Sequence, residues 1–303
     1  MIYFRFKTFT TSYYFPILQI HQQYMYGLYS SYGGKLSKIY WDLFKKYNIV
    51  RTLTAVDSED LPFSYRQIKE VDDTDCLMSF NMGSPGIEQK ISILGYDNHT
   101  HTPFFAKFSQ KPVAKELTKN EIDIYKILKD TQLTPQLLNY KICEEYVYLK
   151  AEYIKGERPI SKKMTPEVLN LCLELKDYHL TTEKSDENSL QLALSHGDFC
   201  PWNILIHGNQ MKLIDWELAK DRPLGFDLFT YICQVSLLFN PENELLQIID
   251  KHDAQIKQYF TACGVQNYLP YLKSFATEKA DYENNKGNSK AFEKYHRLKI
   301  ILS

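Results

Sequence analysis

From Cys76 onward, short apolar runs alternate with turn residues. CLMSFNMG, IEQKISILGY and PFFAKFS read as three strands. A polar stretch over residues 110–118 leads into NEIDIYKILKD, where Ile124, Ile127 and Leu128 form an apolar stripe at helical spacing. TPQLLNYKIC and YVYLKAEYIKG supply two further strands. The order strand–strand–strand–helix–strand–strand predicts a small antiparallel sheet with one helix on its face. Beyond Gly156 the period lengthens. Thr165 and Pro166 open a helix with proline in its first turn, and VLNLCLELKDYHL carries it to about Leu180. TTEKSDENS reads as a loop, and FDLFTYICQVSLLF, NELLQIIDKHDAQIKQYF and YLPYLKSFATEKADY read as helices. The fold class is therefore α+β.

The first seventy residues are rich in Tyr and Phe. Within them, residues 35–47 (KLSKIYWDLFKKY) place Leu36, Ile39, Tyr40, Leu43 and Phe44 on one helical face, the pattern of a helix packed on a neighbouring lobe. Three regions result: an aromatic-rich extension over 1–70, a sheet-rich lobe over 71–155 and a helical lobe over 156–303.

A chain of 303 residues exceeds one compact core and suits two lobes. Hydrophobic residues at 44% and charged residues at 24% are an ordinary globular balance. The net charge of -1 gives no support to nucleic-acid binding, which usually brings a basic excess. Cys76, Cys143, Cys172, Cys200, Cys233 and Cys263 are scattered without a C-x-x-C pair. They read as reduced thiols of a cytoplasmic protein, with neither a zinc site nor a disulfide framework. Pro16 interrupts the apolar run from Tyr13 to Ile20, and no stretch approaches the ~20 apolar residues of a membrane span.

The segment SHGDFCPWNILIHGNQMKLIDWELAKDRPLGFD, residues 195–227, carries the chemistry. NILI and MKLI flank a turn at His207, Gly208 and Asn209. A hairpin centred on Asn209 sets Asn203 opposite Asp215, about 4.5–5.5 Å apart at Cα. An amide oxygen and a carboxylate at the open end of a hairpin suit Mg²⁺, which takes few protein ligands beside phosphate oxygens and water. Asp198, in a loop stiffened by Pro201, could accept a proton from an attacking hydroxyl. Any one of these residues alone would more often cap a turn or a helix; the three at this spacing point to a site.

His196-Gly197-Asp198 through Asn203, then Ile214-Asp215-Trp216-Glu217, resembles the aminoglycoside phosphotransferase and choline kinase superfamily. The resemblance implies a protein-kinase-like, two-lobed fold, with a small antiparallel sheet lobe and a mostly helical second lobe. It implies Asp198 as catalytic base or hydroxyl-orienting group, Asn203 and Asp215 as Mg²⁺ ligands, and Asp227 as a brace for the catalytic loop. In PFFAKF, Lys107 stands where a phosphate-gripping lysine is expected, with Glu121 on the next helix as its partner. Glu116 is the runner-up partner and Lys111 a weaker alternative lysine. AEYIKGE resembles the kinase hinge, so the carbonyl of Glu152 and the N–H of Ile154 would face adenine. NMGSPG stands where a phosphate-covering loop belongs, although its glycines would equally serve a hairpin turn.

Only eleven residues lie between Asp215 and Asp227, and no A-P-E motif follows. That leaves no peptide-docking segment of the protein-kinase kind. The expected activity is transfer of a phosphoryl group from MgATP to a hydroxyl of a small molecule. A sugar or polyol comes first, then an amino alcohol held against Trp202, Trp216, Tyr231 or Tyr259, then an aminoglycoside. The alternative is a pseudokinase, a nucleotide-responsive binding module without turnover.

Overall fold

The computed structural model describes residues 1–7, 11–16, 55–72, 75–159, 161–180 and 189–303. The helix expected over 35–47 and the loop expected over 181–189 lie outside the described residues, apart from Ser189. Contacts divide the chain into two units, Met1–Ile154 and Lys155–Ser303.

The first unit is built on one eight-stranded sheet. Its strands are β1 (Ile2–Lys7), β2 (Ser12–Pro16), β3 (Ala55–Asp57), β4 (Cys76–Asn81), β5 (Ile91–Asp97), β6 (Thr102–Ser109), β7 (Leu137–Ile142) and β8 (Val147–Glu152). They run in the order β3-β1-β2-β4-β5-β6-β8-β7, every pairing antiparallel. The five strands expected from Cys76 onward are all present. The first three correct the reading of residues 1–70 as a separate extension, because β2 pairs directly with β4. Alternation gave no signal there: adjacent Tyr3 and Phe4, and Tyr13 to Phe15, are buried on both faces of the sheet.

Helix α1 (Tyr65–Val71), capped by Ser64, lies over one face. Its Ile68 joins Tyr3, Phe63, Phe80, Phe104 and Phe108 in a core. Helix α2 (Pro112–Ile127) lies over the other. It begins inside the polar stretch expected as a lead-in, since Pro112 is favourable at a helix start and Thr118 is buried against Ser109 at 2.7 Å. Cross-strand packing is tight at one point. A Cβ on Gly95 would fall 2.0 Å from the ring of Phe104, its partner on β6. The Lys150 ammonium lies over the same ring, 4.0 Å from its centroid.

The second unit opens with α3 (Pro166–Leu175), where Thr165 caps Val168 N–H. It ends five residues before the expected Leu180. The chain there is claimed by other bonds, with Leu180 N–H donating to Asp221 and Tyr178 O accepting from Leu194. Strand β9 (Leu192–Ser195) pairs with β12 (Lys220–Pro223), and β10 (Ile204–His207) with β11 (Gln210–Leu213). Five helices follow: α4 (Phe226–Phe239), α5 (Leu245–Lys251), α6 (Asp253–Ala262), α7 (Leu269–Asn285) and α8 (Ser289–Ile301). The single helix expected over 243–260 divides at His252, whose side chain bonds back to Ile248 O at 2.8 Å. All six cysteines are free thiols. No described helix is long and apolar enough to cross a membrane.

In the first unit, Asp72 closes α1 and accepts from Lys150 Nζ at 2.7 Å and Tyr148 OH at 2.8 Å, all three buried. Replacing Asp72 by Ala strands an ammonium in the core. Asp72→Ala is expected to lower stability by about 3–5 kcal/mol, whereas Asp72→Ala with Lys150→Met recovers most of it. Denaturant unfolding of the single and double variants measures the difference.

Candidate active site

The segment after β9 turns on one carboxylate. Asp227, in the first turn of α4, is buried and accepts from Ser195 Oγ at 2.9 Å, His196 N at 2.7 Å and Gly197 N at 3.0 Å. Gly225 supplies the left-handed residue that starts α4, with φ 80°. Gly197 has φ 84°, and a Cβ there would meet Leu218 O at 2.5 Å and Arg222 Nη1 at 2.9 Å. Only glycine suits this position.

His196 carries the tether onward. Its Nδ1 accepts from Asp198 N at 3.3 Å, so its Nε2 is the donor to Ile214 O at 3.0 Å. The ring packs against fully buried Trp216 at 4.7 Å between centroids, and Trp216 Nε1 donates to Leu213 O. The loop is thus pinned to the end of the β10–β11 hairpin.

That hairpin corrects the expected register. Ile204 pairs with Leu213 and His207 with Gln210, leaving a two-residue turn at Gly208 and Asn209. Gly208 has φ 60°, suited to the first central position of a type II′ turn. The hairpin is therefore not centred on Asn209, and Asn203 does not stand opposite Asp215. Instead Ile214 N donates to Asn203 O at 3.0 Å. Asp215 comes one residue later, in the left-handed conformation with φ 70° and ψ 55°. Aspartate tolerates this region better than most side chains. Asn203 and Asp215 remain neighbours, offset by one.

Around Asp198 the polar groups converge. Asn203 Nδ2 donates to both Asp198 O and Asp198 Oδ2, each at 2.9 Å. With both amide hydrogens turned to Asp198, the Asn203 Oδ1 oxygen is the end left for another partner. Gln234 Nε2 donates to Asp198 Oδ1 at 3.0 Å, and Cys200 Sγ approaches the same oxygen at 3.7 Å. Burial, then the Asp198 charge, pushes the Cys200 thiol far up, so it is no nucleophile at neutral pH. The hard oxygens of Asn203 and Asp215 fit a divalent cation of the Mg²⁺ class.

Gln234 was missed in the sequence, yet it left a signal. In the apolar run FDLFTYICQVSLLF, Asp227, Thr230 and Gln234 recur at helical spacing. The outer two both bond the loop over residues 195–198. Gln234 also lines a cavity of about 520 Å³ with Leu237, Glu283, Lys290, Tyr295 and Arg297. The aromatic residues considered for an ammonium group sit elsewhere. Trp216, Tyr231 and Tyr259 are buried in the core, and Tyr259 OH accepts from Gly225 N. Of the four, Trp202 alone is not fully buried.

The first unit places its candidates as follows. Lys107 Nζ meets Glu121 Oε2 at 2.5 Å, both side chains buried, and Tyr125 OH donates to Glu121 Oε1. Glu116 pairs instead with Lys119, and Lys111 holds Gly86 O and Gln89 in the loop between β4 and β5. Glu152 ends β8, its N–H bonded to Gln136 O, and Ile154 is buried at the unit's last position.

Residues 172–251 match the family model described as the phosphotransferase enzyme family, APH. No curated protein matches the chain. Among solved structures, one similar chain is an amicoumacin kinase, hAmiN, in complex with AMP-PNP, Ca²⁺ and Ami. It has 9% identity and a TM-score of 0.45, over 62% of this chain and 73% of that one. Another is an aminoglycoside-3'-phosphotransferase of type VIII, at 16% identity and a TM-score of 0.37, over 48% of this chain and 73% of that one.

Asp227→Ala leaves three buried donors unsatisfied and is expected to cost about 3 kcal/mol or more. Gly197→Ala should also destabilise, through strain rather than lost bonds. Urea unfolding of both variants checks this; wild-type stability for Asp227→Ala would remove its role as the anchor.

Proposed function

We propose, for a chain whose residues 172–251 match the model of the phosphotransferase enzyme family, an ATP-dependent kinase. It moves the γ-phosphoryl group of MgATP to a hydroxyl of a small molecule. The observation that carries this reading is the pair of hydrogen bonds from Asn203 Nδ2 to Asp198. They fix the carboxylate and turn the carboxamide oxygen away from it in one arrangement.

Asp198 is the base or orienting group. Its oxygens take donors in the structure, Oδ2 from Asn203 and Oδ1 from Gln234 and the Cys200 thiol, which leaves a lone pair on Oδ2 for the acceptor hydroxyl. The acceptor oxygen bonds to the γ-phosphorus as the bond to the bridging oxygen breaks. ADP leaves with that electron pair, and the hydroxyl proton passes to Asp198. Asn203 and Asp215 would hold Mg²⁺, which neutralises charge on the phosphates. Lys107, kept in place by Glu121, would grip the phosphates. The carbonyl of Glu152 and the N–H of Ile154 would receive adenine. The protein's contribution is positioning and charge neutralisation.

For the acceptor, the burial of Trp216, Tyr231 and Tyr259 weighs against a cage for a quaternary ammonium. The cavity beside Gln234 carries Lys290, Lys294 and Arg297 as well as Glu244, Glu283 and Glu293, which weighs against a polycationic aminoglycoside. A sugar or related polyol fits this charge-balanced lining best. Asp198→Asn is isosteric and is expected to lower turnover by about 10²–10⁴-fold, with nucleotide binding retained. Steady-state phosphotransfer and nucleotide titration of the variant separate the two effects. Undiminished turnover would take Asp198 out of the mechanism.

A further inference from the structure

Two carboxamides line the cavity of about 520 Å³, Gln234 and Asn288. Asn288 is spent at both ends. Its Nδ2 donates to Glu283 at 2.8 Å, and its Oδ1 accepts from Ala291 N at 3.4 Å. Gln234 is spent at one end only. Its Nε2 donates to Asp198 Oδ1 at 3.0 Å, and its Oε1 accepts no hydrogen bond among the described residues. The amide cannot be turned the other way round, because a carboxylate oxygen accepts and only the nitrogen end can donate to it. Gln234 comes to this place from the sequence, about two turns along α4 from Asp227 and on the same stripe. Asp227 anchors the loop, and Gln234 meets the carboxylate that the loop carries.

The rest of the lining does not select by charge. Its three basic and three acidic side chains balance, and Glu244 meets Arg297 at 3.1 Å. Leu237, Leu238 and Ala291 add apolar surface for the C–H faces of a carbon frame. What selects an occupant next to Asp198 is therefore a neutral hydrogen-bonding atom, the Gln234 oxygen. That oxygen only accepts, so it calls for a donor on the substrate. A carboxamide carries its nitrogen and oxygen on one carbon, and its nitrogen already touches Asp198. A group bonded to Oε1 therefore lies close to a group bonded to Asp198. Two nearby hydroxyls of one polyol meet this spacing; a monohydric alcohol has nothing to offer the second position. A hydroxyl suits the uncharged oxygen and the balanced lining better than an ammonium does.

We infer that Gln234 is a specificity-determining residue for a neutral polyol acceptor. Its Nε2 holds Asp198, while its Oε1 accepts from a second hydroxyl of the acceptor, close to the one that is phosphorylated. This rests on the phosphotransferase reading. The reacting hydroxyl meets Asp198 Oδ2, and the second hydroxyl takes no part in bond making. One side chain thus serves the base and the acceptor together, so the pattern of hydroxyls on the acceptor governs turnover as well as binding.

The test uses the full chain with MgATP and a panel of hexoses and myo-inositol, each matched to its monodeoxy and monoamino counterparts. For the best acceptor, removing one hydroxyl near the phosphorylated position is expected to lower kcat/KM about tenfold, the worth of one neutral hydrogen bond. In Gln234→Met the same removal should make little difference, because its partner oxygen is gone. The variant and the deoxy compound then share one loss instead of adding two. Gln234→Met also takes a donor from Asp198, so kcat falls for parent and deoxy compound alike; the ratio between them isolates the second hydroxyl. KM for MgATP and the melting temperature should stay near wild type. Calorimetric titration of the same pairs gives the comparison without turnover. A glutamine that only supports Asp198 would leave the ratio equal in wild type and variant, and that result would overturn the inference. So would deoxy compounds that all react as well as their parents, an amino counterpart preferred to its polyol, or no polyol turnover by protein that binds MgATP. Failure of MgATP to bind at all would instead sink the phosphotransferase reading, and this inference with it.

Discussion

The buried carboxylate of Asp227 is the constraint on which the second unit's chemistry depends. It gathers a hydroxyl and two consecutive backbone N–H groups from Ser195 to Gly197. Without it those donors would be buried and unsatisfied. The geometry then propagates. Gly197 must take a left-handed turn against Leu218, His196 reaches Ile214, and Asp198 is delivered to Asn203 and Gln234. A helix start, a strand end and a hairpin end are fixed by one side chain.

Much of this was legible in the sequence. The five strands from Cys76 and the span of α4 follow from period and spacing, and the Lys107–Glu121 pair from the resemblance to kinases. The register of the β10–β11 hairpin did not. A turn written His-Gly-Asn admits two or three loop residues, and one residue of slip reverses every facing pair. Here the positive φ of Gly208 selects the two-residue turn. Asn203 and Asp215 stay close only because Asp215 itself leaves the strand conformation, which no alternation pattern encodes. The first strands were hidden for the opposite reason: with Tyr3 and Phe4 both buried, the two-residue period vanishes. Gln234 was visible as a polar residue on an otherwise apolar helical stripe. Its partner Asp198 is distant in the chain, so its meaning required the fold.

Buried charge divides into two kinds in this protein. Lys107 and Lys150 each meet a carboxylate within hydrogen-bond reach, the condition under which a buried ion pair is tolerated. Lys279 instead stands over the Phe226 and Tyr282 rings, and burial pushes its ammonium down. A paired charge stabilises or positions the elements that carry it.

The most direct test of the account is thermal unfolding with ATP, in the presence and absence of Mg²⁺, for wild type and Asp215→Ala. A ligand that binds only the folded protein adds about 2.7 kcal/mol at a hundredfold excess over its dissociation constant. The account predicts a Mg²⁺-dependent upward shift in wild type that is reduced in the variant. No shift over a wide nucleotide range in folded wild type would contradict the kinase reading, and an equal shift in both proteins would contradict the metal site built on Asp215.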